Sequence, residues 1–203
     1  LHLCDRRQRQ MCKETAALLF YAGWELIIVG LLCVLFAFLY TTGPYPLSYN
    51  GWGDVLVIVF FGFVPVGGTY YVQALTWTSD TTVASLICGL LIDTLLVVNN
   101  YRDREADARS GKRTVIVRFG EKFGRYLYLM LGVAASLLCF WFFFEGHLFA
   151  ALLPLLYLIP HVLTWRRMVQ IHSGKKLNSI LGETSRNMLL MGILLSIGFL
   201  IRH

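Results

Sequence analysis

Six long apolar runs separate shorter polar stretches along the chain, covering Ala16 to Tyr40, Val55 to Leu75, Thr82 to Val98, Tyr126 to Phe144, Leu148 to Trp165 and Met188 to Ile201. They approach the roughly 17 to 25 residues with which a helix crosses about 30 Å of hydrocarbon. None alternates with the period of a strand. Backbone polar groups in lipid must pair inside their own segment, so the pattern predicts an all-α protein, a polytopic transmembrane helix bundle of six spans. The connections differ in kind. Thr41 to Gly53 carries Gly and Pro turn signals, Thr76 to Asp80 and Glu145 to His147 are short, and Asn99 to Arg125 is long and densely charged.

Charge sharpens this picture. The chain has 203 residues, 57% of them hydrophobic, a mean hydropathy of +0.62 and a net charge of +6. All 18 Lys and Arg fall at 6 to 13, 102 to 125, 166 to 186 and Arg202, and the apolar runs contain none. A soluble bundle would spread such residues over every outer helix face, whereas lipid-facing surfaces exclude them. The partner implied is a lipid bilayer and an anionic ligand, with no nucleic acid. Both long basic connections fall on one side when six spans alternate, and the positive-inside tendency makes that side the cytoplasm. The same alternation puts the basic stretch LHLCDRRQRQMCKE on the opposite side, so residues 1–14 are expected to be a non-native or truncated leader before a membrane domain over 15–203. Five cysteines show no CxxC or Cys/His ligand spacing, which leaves a zinc site or disulfide framework without support.

The third run ends in LLVVNNYRDREADARSGKRTVIVRFG. If its helix continues past the membrane edge, Asn99, Asp103 and Asp107 are each rotated only about 40° from the last, and their oxygens share one face. Mg²⁺ is commonly held by one or two carboxylates plus phosphate oxygens. Basic residues follow at once, including Arg102, Lys112, Arg113 and Arg118, and acid for metal beside base for phosphate is the layout of a diphosphate site. The charge pattern alone also admits a solvated helix end with acids and bases paired four residues apart. Asp93 stands within the third run, where a carboxylate is costly; it either faces a substrate or bonds to a neighbouring helix. Tyr45 and Tyr49 are candidate substrate contacts or interfacial anchors. His147, His161 and His172 share no ligand spacing.

The run NNYRDREADARSGKRTVIVRFG resembles the second aspartate-rich motif of the UbiA superfamily of membrane prenyltransferases, in the form of the 1,4-dihydroxy-2-naphthoate polyprenyltransferases. YTTGPYPLSYNGWGD (Tyr40 to Asp54) and VFFGFVPVGGTYYVQ (Val59 to Gln73) are similar to the same branch. The resemblance implies a bundle of nine spans, of which the six here correspond to the fourth onward, and a first NDYxD-type motif that this chain lacks. Missing amino-terminal helices of the same protein are therefore an expected partner, encoded just upstream. It further implies Mg²⁺-dependent transfer of a polyprenyl group from its diphosphate to an aromatic acid, giving demethylmenaquinone in menaquinone biosynthesis, in the inner (cytoplasmic) membrane with the site facing the cytoplasm. On that reading Asp103 and Asp107 are catalytic and hold Mg²⁺ with Asn99. Asn100, Arg102, Lys112, Arg113 and Arg118 meet the diphosphate, and Asp93, Tyr45 and Tyr49 complete the substrate contacts. Another aromatic acceptor, or a polytopic transporter, is the alternative. Transporters place charges near the bilayer midplane, whereas here they crowd one face.

Overall fold

The computed structural model describes residues 23–43 and 45–201. The expected leader over 1–14 and the first part of the first apolar run lie outside the described residues. Helices account for every regular element described: α1 (Glu25–Thr41), α2 (Gly53–Ala74), α3 (Ser79–Arg109), α4 (Val115–Phe144), α5 (Leu148–Ile171) and α6 (Leu177–Leu200). The last five are long and apolar enough to cross a membrane. This is a multi-pass membrane bundle.

α3 is the central helix, packed against α2, α4 and α6, while α5 closes the far side against α4 and α6. It begins at Thr78, whose Oγ1 accepts the Thr81 N–H at 3.2 Å and supplies an orphan donor of the first turn with a partner. Its 31 residues give a rod of about 46 Å. Hydrocarbon accounts for about 30 Å, so the charged last turns project beyond it. Gly111 at φ +79° then takes the left-handed conformation that glycine adopts without strain, and the Lys112 N–H returns to the Asp107 carbonyl at 2.9 Å. Thr114 caps the start of α4 through the Val117 N–H. The 99 to 125 connection is thus almost wholly helix, with a tight turn at 110 to 114 and a break in α4 at Gly120 (φ +85°). The 166 to 186 connection is likewise shorter than the charges suggest: α5 runs to Ile171 and α6 starts at Leu177.

Small residues let the helices approach closely, as bilayer packing requires when apolar surface alone gives no preference for helix over lipid. A Cβ on Gly62 of α2 would lie 2.5 Å from the Ser85 carbonyl oxygen and 2.8 Å from the Gly89 Cα of α3. A Cβ on Gly198 of α6 would meet the Ala150 backbone of α5 at 2.5 Å. Within α2, Ile58–Gly67 adopts wider π-helical turns around Pro65. The proline ring would clash with the carbonyl four residues earlier in an α-helix, and the wider turn moves that carbonyl aside. α1 buries no residue completely; it joins the bundle through Phe36, whose ring lies 5.2 Å from that of Phe60.

Two buried clusters fill the bundle. One, at the charged end, joins Val97, Val98, Tyr101, Ile116, Tyr128 and Ile180. The other joins Ile87, Leu91, Ala135, Phe142, Tyr157 and Met191. Polar side chains bridge the interior in satisfied pairs: Tyr128 to Thr184 at 3.0 Å, Tyr157 to His161 at 2.9 Å, and Asn187 to Thr164 at 2.9 Å. His161 also stacks on the rings of Tyr128 and Tyr157.

Candidate active site

The projecting end of α3 carries the predicted acidic face, and the structure shows what each oxygen meets. Arg102 binds Asp103 with a two-pronged fork, Nε to Oδ1 at 2.7 Å and Nη2 to Oδ2 at 2.6 Å. The same Nη2 donates to Asn99 Oδ1 at 2.7 Å, and Nη1 donates to Asn178 Oδ1 of α6 at 2.9 Å. Oxygens of Asn99 and Asp103, one helical turn apart, thus converge on a single cationic nitrogen. On this stretch beyond the apolar run, the Arg102 guanidinium holds the Asp103 carboxyl below its ordinary range and keeps it ionised. Asp107 pairs instead with Lys112, Oδ2 to Nζ at 3.4 Å, because the Gly111 turn folds the chain back. Arg102 lies in the field of both carboxylates.

The loop after α1 docks against this segment. The Arg113 N–H donates to the Tyr49 carbonyl at 2.8 Å, and Arg118 Nη2 donates to the Asn50 carbonyl at 2.7 Å. Gly51, at φ +81°, passes so close that a Cβ would stand 3.1 Å from the Arg113 carbonyl oxygen. Between loop and helix lies a polar cavity of about 70 Å³, bordered by Tyr40, Ser48, Asp54, Asn99, Asn100 and Lys112. An apolar cavity of about 490 Å³ adjoins it between α2, α3 and α6, sharing Leu96 and Asn99 with it and lined further by Val57, Phe61, Ile92 and Leu95.

The structure joins Asn99, Arg102 and Asp103 in one network, pairs Asp107 with Lys112 beside it, and sets Asn100 and Lys112 on the cavity wall. Arg113 and Arg118 border it through the loop, and both are exposed. Tyr45 and Tyr49 expose their rings, and only the Tyr49 backbone takes part. Asp93 is buried inside the bundle, and its Oδ1 has no hydrogen-bond partner. Sequence reasoning missed Asn178, Tyr40, Ser48 and Asp54. Asp54 was within reach, as the last residue of YTTGPYPLSYNGWGD; Asn178 lies 76 positions from Arg102 and gave no local sign.

Among the described residues no three His, Cys, Asp or Glu side chains gather into a metal cluster. Mg²⁺ seldom needs one, since it retains waters and shares phosphate oxygens. The convergence of Asn99 Oδ1 and Asp103 Oδ2 on one positive atom is a donor set that fits a single hard cation.

The family model described as the UbiA prenyltransferase family matches residues 15–197. The chain is 38% identical over 181 residues to a 1,4-dihydroxy-2-naphthoate octaprenyltransferase of Haemophilus influenzae, covering 85% of this chain and 56% of that protein. A protein of the same name from Mycobacterium leprae is 44% identical over 123 residues, 61% of this chain and 42% of its own length. A UbiA prenyltransferase domain-containing protein 1 of Dictyostelium discoideum is 30% identical over 162 residues, 80% and 48% of the two chains. The chain spans about half the length of the curated relatives it matches. No solved structure matches it. With nine-tenths of its length inside the family match and the motif's polar residues gathered at one end of the bundle, the chain belongs to the UbiA prenyltransferase family.

Proposed function

We propose that this chain carries part of the site that transfers a polyprenyl group from polyprenyl diphosphate to 1,4-dihydroxy-2-naphthoate, giving demethylmenaquinone. The observation behind it is the convergence of the Asn99 and Asp103 oxygens on Arg102, with Lys112 and Asp107 alongside. The acceptor is taken from the printed names of the relatives. Breaking the allylic C–O bond leaves negative charge on diphosphate and positive charge on the isoprenoid. Cations fixed in advance at the leaving group stabilise the developing charge without reorganising, and do so more strongly where water is scarce. Asn99, Asp103 and Asp107 would hold Mg²⁺, which when bound supplies charge neutralisation at the diphosphate. Arg102, Lys112, Arg113 and Arg118 are the cationic groups within reach of the same anion, with Asn100 as a neutral donor. The apolar cavity of about 490 Å³ offers the apolar parts of both substrates a place beside these groups. The site faces the cytoplasm, on the basic side of the bundle.

The test is incubation of the complete protein in membranes with Mg²⁺, a polyprenyl diphosphate and a panel of aromatic acids, with products identified by mass. Prenylated, decarboxylated dihydroxynaphthoate is the expected product. Transfer to another acid would reassign the acceptor, and no transfer to any would remove the enzyme reading.

A further inference from the structure

Diphosphate binding accounts for Asn99, Asn100 and Lys112 on the wall of the polar cavity and leaves Tyr40, Ser48 and Asp54, on its other side, without a role. Two carboxyl groups face it or lie under it. Asp54, at the start of α2, borders the cavity directly. Asp93 lies two turns below Asn100 on the same face of α3, rotated from it by only about 20°. Asp93 is close enough to Asp54 to feel its charge, and Tyr40 feels both. Asp93 is only 1% exposed and its Oδ1 lacks any donor. A buried acceptor without a partner costs roughly 1–3 kcal/mol, so Asp93 favours a donor arriving beside it, and Asp54 is the carboxyl of the two that borders the cavity.

The volume says what kind of donor. About 70 Å³ holds roughly two waters, or a hydroxyl with the ring edge that bears it, and no whole bicyclic acid. The body of such a ring has a place in the adjoining apolar cavity, which shares Leu96 and Asn99 with the polar one. A second metal ion suits the polar cavity poorly, because the Lys112 ammonium borders it and repels cations.

We propose that this cavity is the acceptor subsite, in which Asp54, supported by Tyr40 and Asp93, accepts the hydrogen bond of a phenolic hydroxyl on the aromatic substrate. The inference rests on the proposed prenyl transfer and adds to it the group that recognises the acceptor. Sites built to bond a hydroxyl reject analogues lacking it far more strongly than apolar pockets reject a missing methylene. A carboxylate facing that hydroxyl also favours electron density on the ring that the isoprenoid cation attacks.

The experiment compares dihydroxynaphthoate with its methyl ethers as acceptors for the wild-type protein, Asp54→Asn and Tyr40→Phe. Wild type is expected to lose at least tenfold in kcat/KM on one ether. Asp54→Asn is expected to narrow that ratio to within about threefold, leaving the KM for polyprenyl diphosphate and the Mg²⁺ requirement unchanged. Tyr40→Phe, which removes one hydroxyl and keeps the ring, is expected to raise the acceptor KM alone, by three- to tenfold, and serves if the Asp54 variant does not fold. The inference is overturned if Asp54→Asn keeps the wild-type ratio, if it raises the diphosphate KM instead, or if Tyr40→Phe leaves the acceptor KM unmoved. Failure of the wild-type protein to prenylate any hydroxylated acceptor is seen before the variants are compared; it removes the prenyl-transfer reading and this inference with it.

Discussion

Substituting Gly62 by Ala tests the packing that sets the distance between α2, which carries Asp54, and α3, which carries Asn99. The new Cβ would lie 2.5 Å from the Ser85 carbonyl oxygen, 2.8 Å from the Gly89 Cα and 2.9 Å from the Gly89 nitrogen. All three are backbone atoms, which cannot turn away as a flexible side chain can. Restoring an ordinary contact of about 3.4 Å requires the helices to part by about 0.9 Å at the crossing, which loosens dispersion contacts along the seam. Overpacking of this kind costs about 1–3 kcal/mol, a five- to 150-fold loss in the folding equilibrium. Gly68→Ala, in the same helix with nothing within 4 Å of the added carbon, is the control. It gains up to about 1 kcal/mol from helix propensity. Reversible unfolding in mixed micelles, followed by circular dichroism, measures both. Equal stabilities for Gly62→Ala and wild type would show that α2 and α3 are not in backbone contact there, and the geometry assigned to the cavity between them would fall.

Three further outcomes are expected. Asp103→Asn leaves the Arg102 fork with a weaker, uncharged partner, and Mg²⁺-dependent transfer should fall by at least a hundredfold while the bundle remains folded; retained transfer would refute the metal assignment. Because the Asp103 carboxyl is depressed by Arg102, its contribution to stability is complete above the unfolded value near 4 and is lost as pH falls through the depressed one. Wild type should therefore lose more stability than Asp103→Asn on acidification below about pH 4, and parallel pH profiles would contradict this. Gly51→Ala places a side chain at φ +81° and 3.1 Å from the Arg113 carbonyl, so the loop should detach from α4 at a cost of about 1–2 kcal/mol, visible as faster amide exchange at Arg113.

Hydropathy made the bundle legible, because lipid admits few ways to satisfy a backbone. It ended α3 too early as a span and began α6 too late, since helices that leave the bilayer carry charge without ceasing to be helical; Arg102 to Arg109 and Leu177 to Asn187 are the cases. Spacing of four placed Asn99 and Asp103 on one face, and the structure joins them through Arg102. Asp107 left that face's network for Lys112 because of the turn at Gly111, which local spacing does not encode. Asn178, and the bond from Arg118 to the Asn50 carbonyl, depend on which helices pack side by side, and no periodicity within one segment carries that information.

The most direct measurement is Mg²⁺-dependent binding of a non-reactive polyprenyl thiodiphosphate to the protein in membranes, comparing wild type with Asp103→Asn and Asp107→Asn. Saturable binding that needs Mg²⁺ in the wild type and weakens at least tenfold in both variants is the predicted result. Equal affinity in all three proteins, with or without Mg²⁺, would mean that the acidic face of α3 is a solvated helix end and holds no diphosphate.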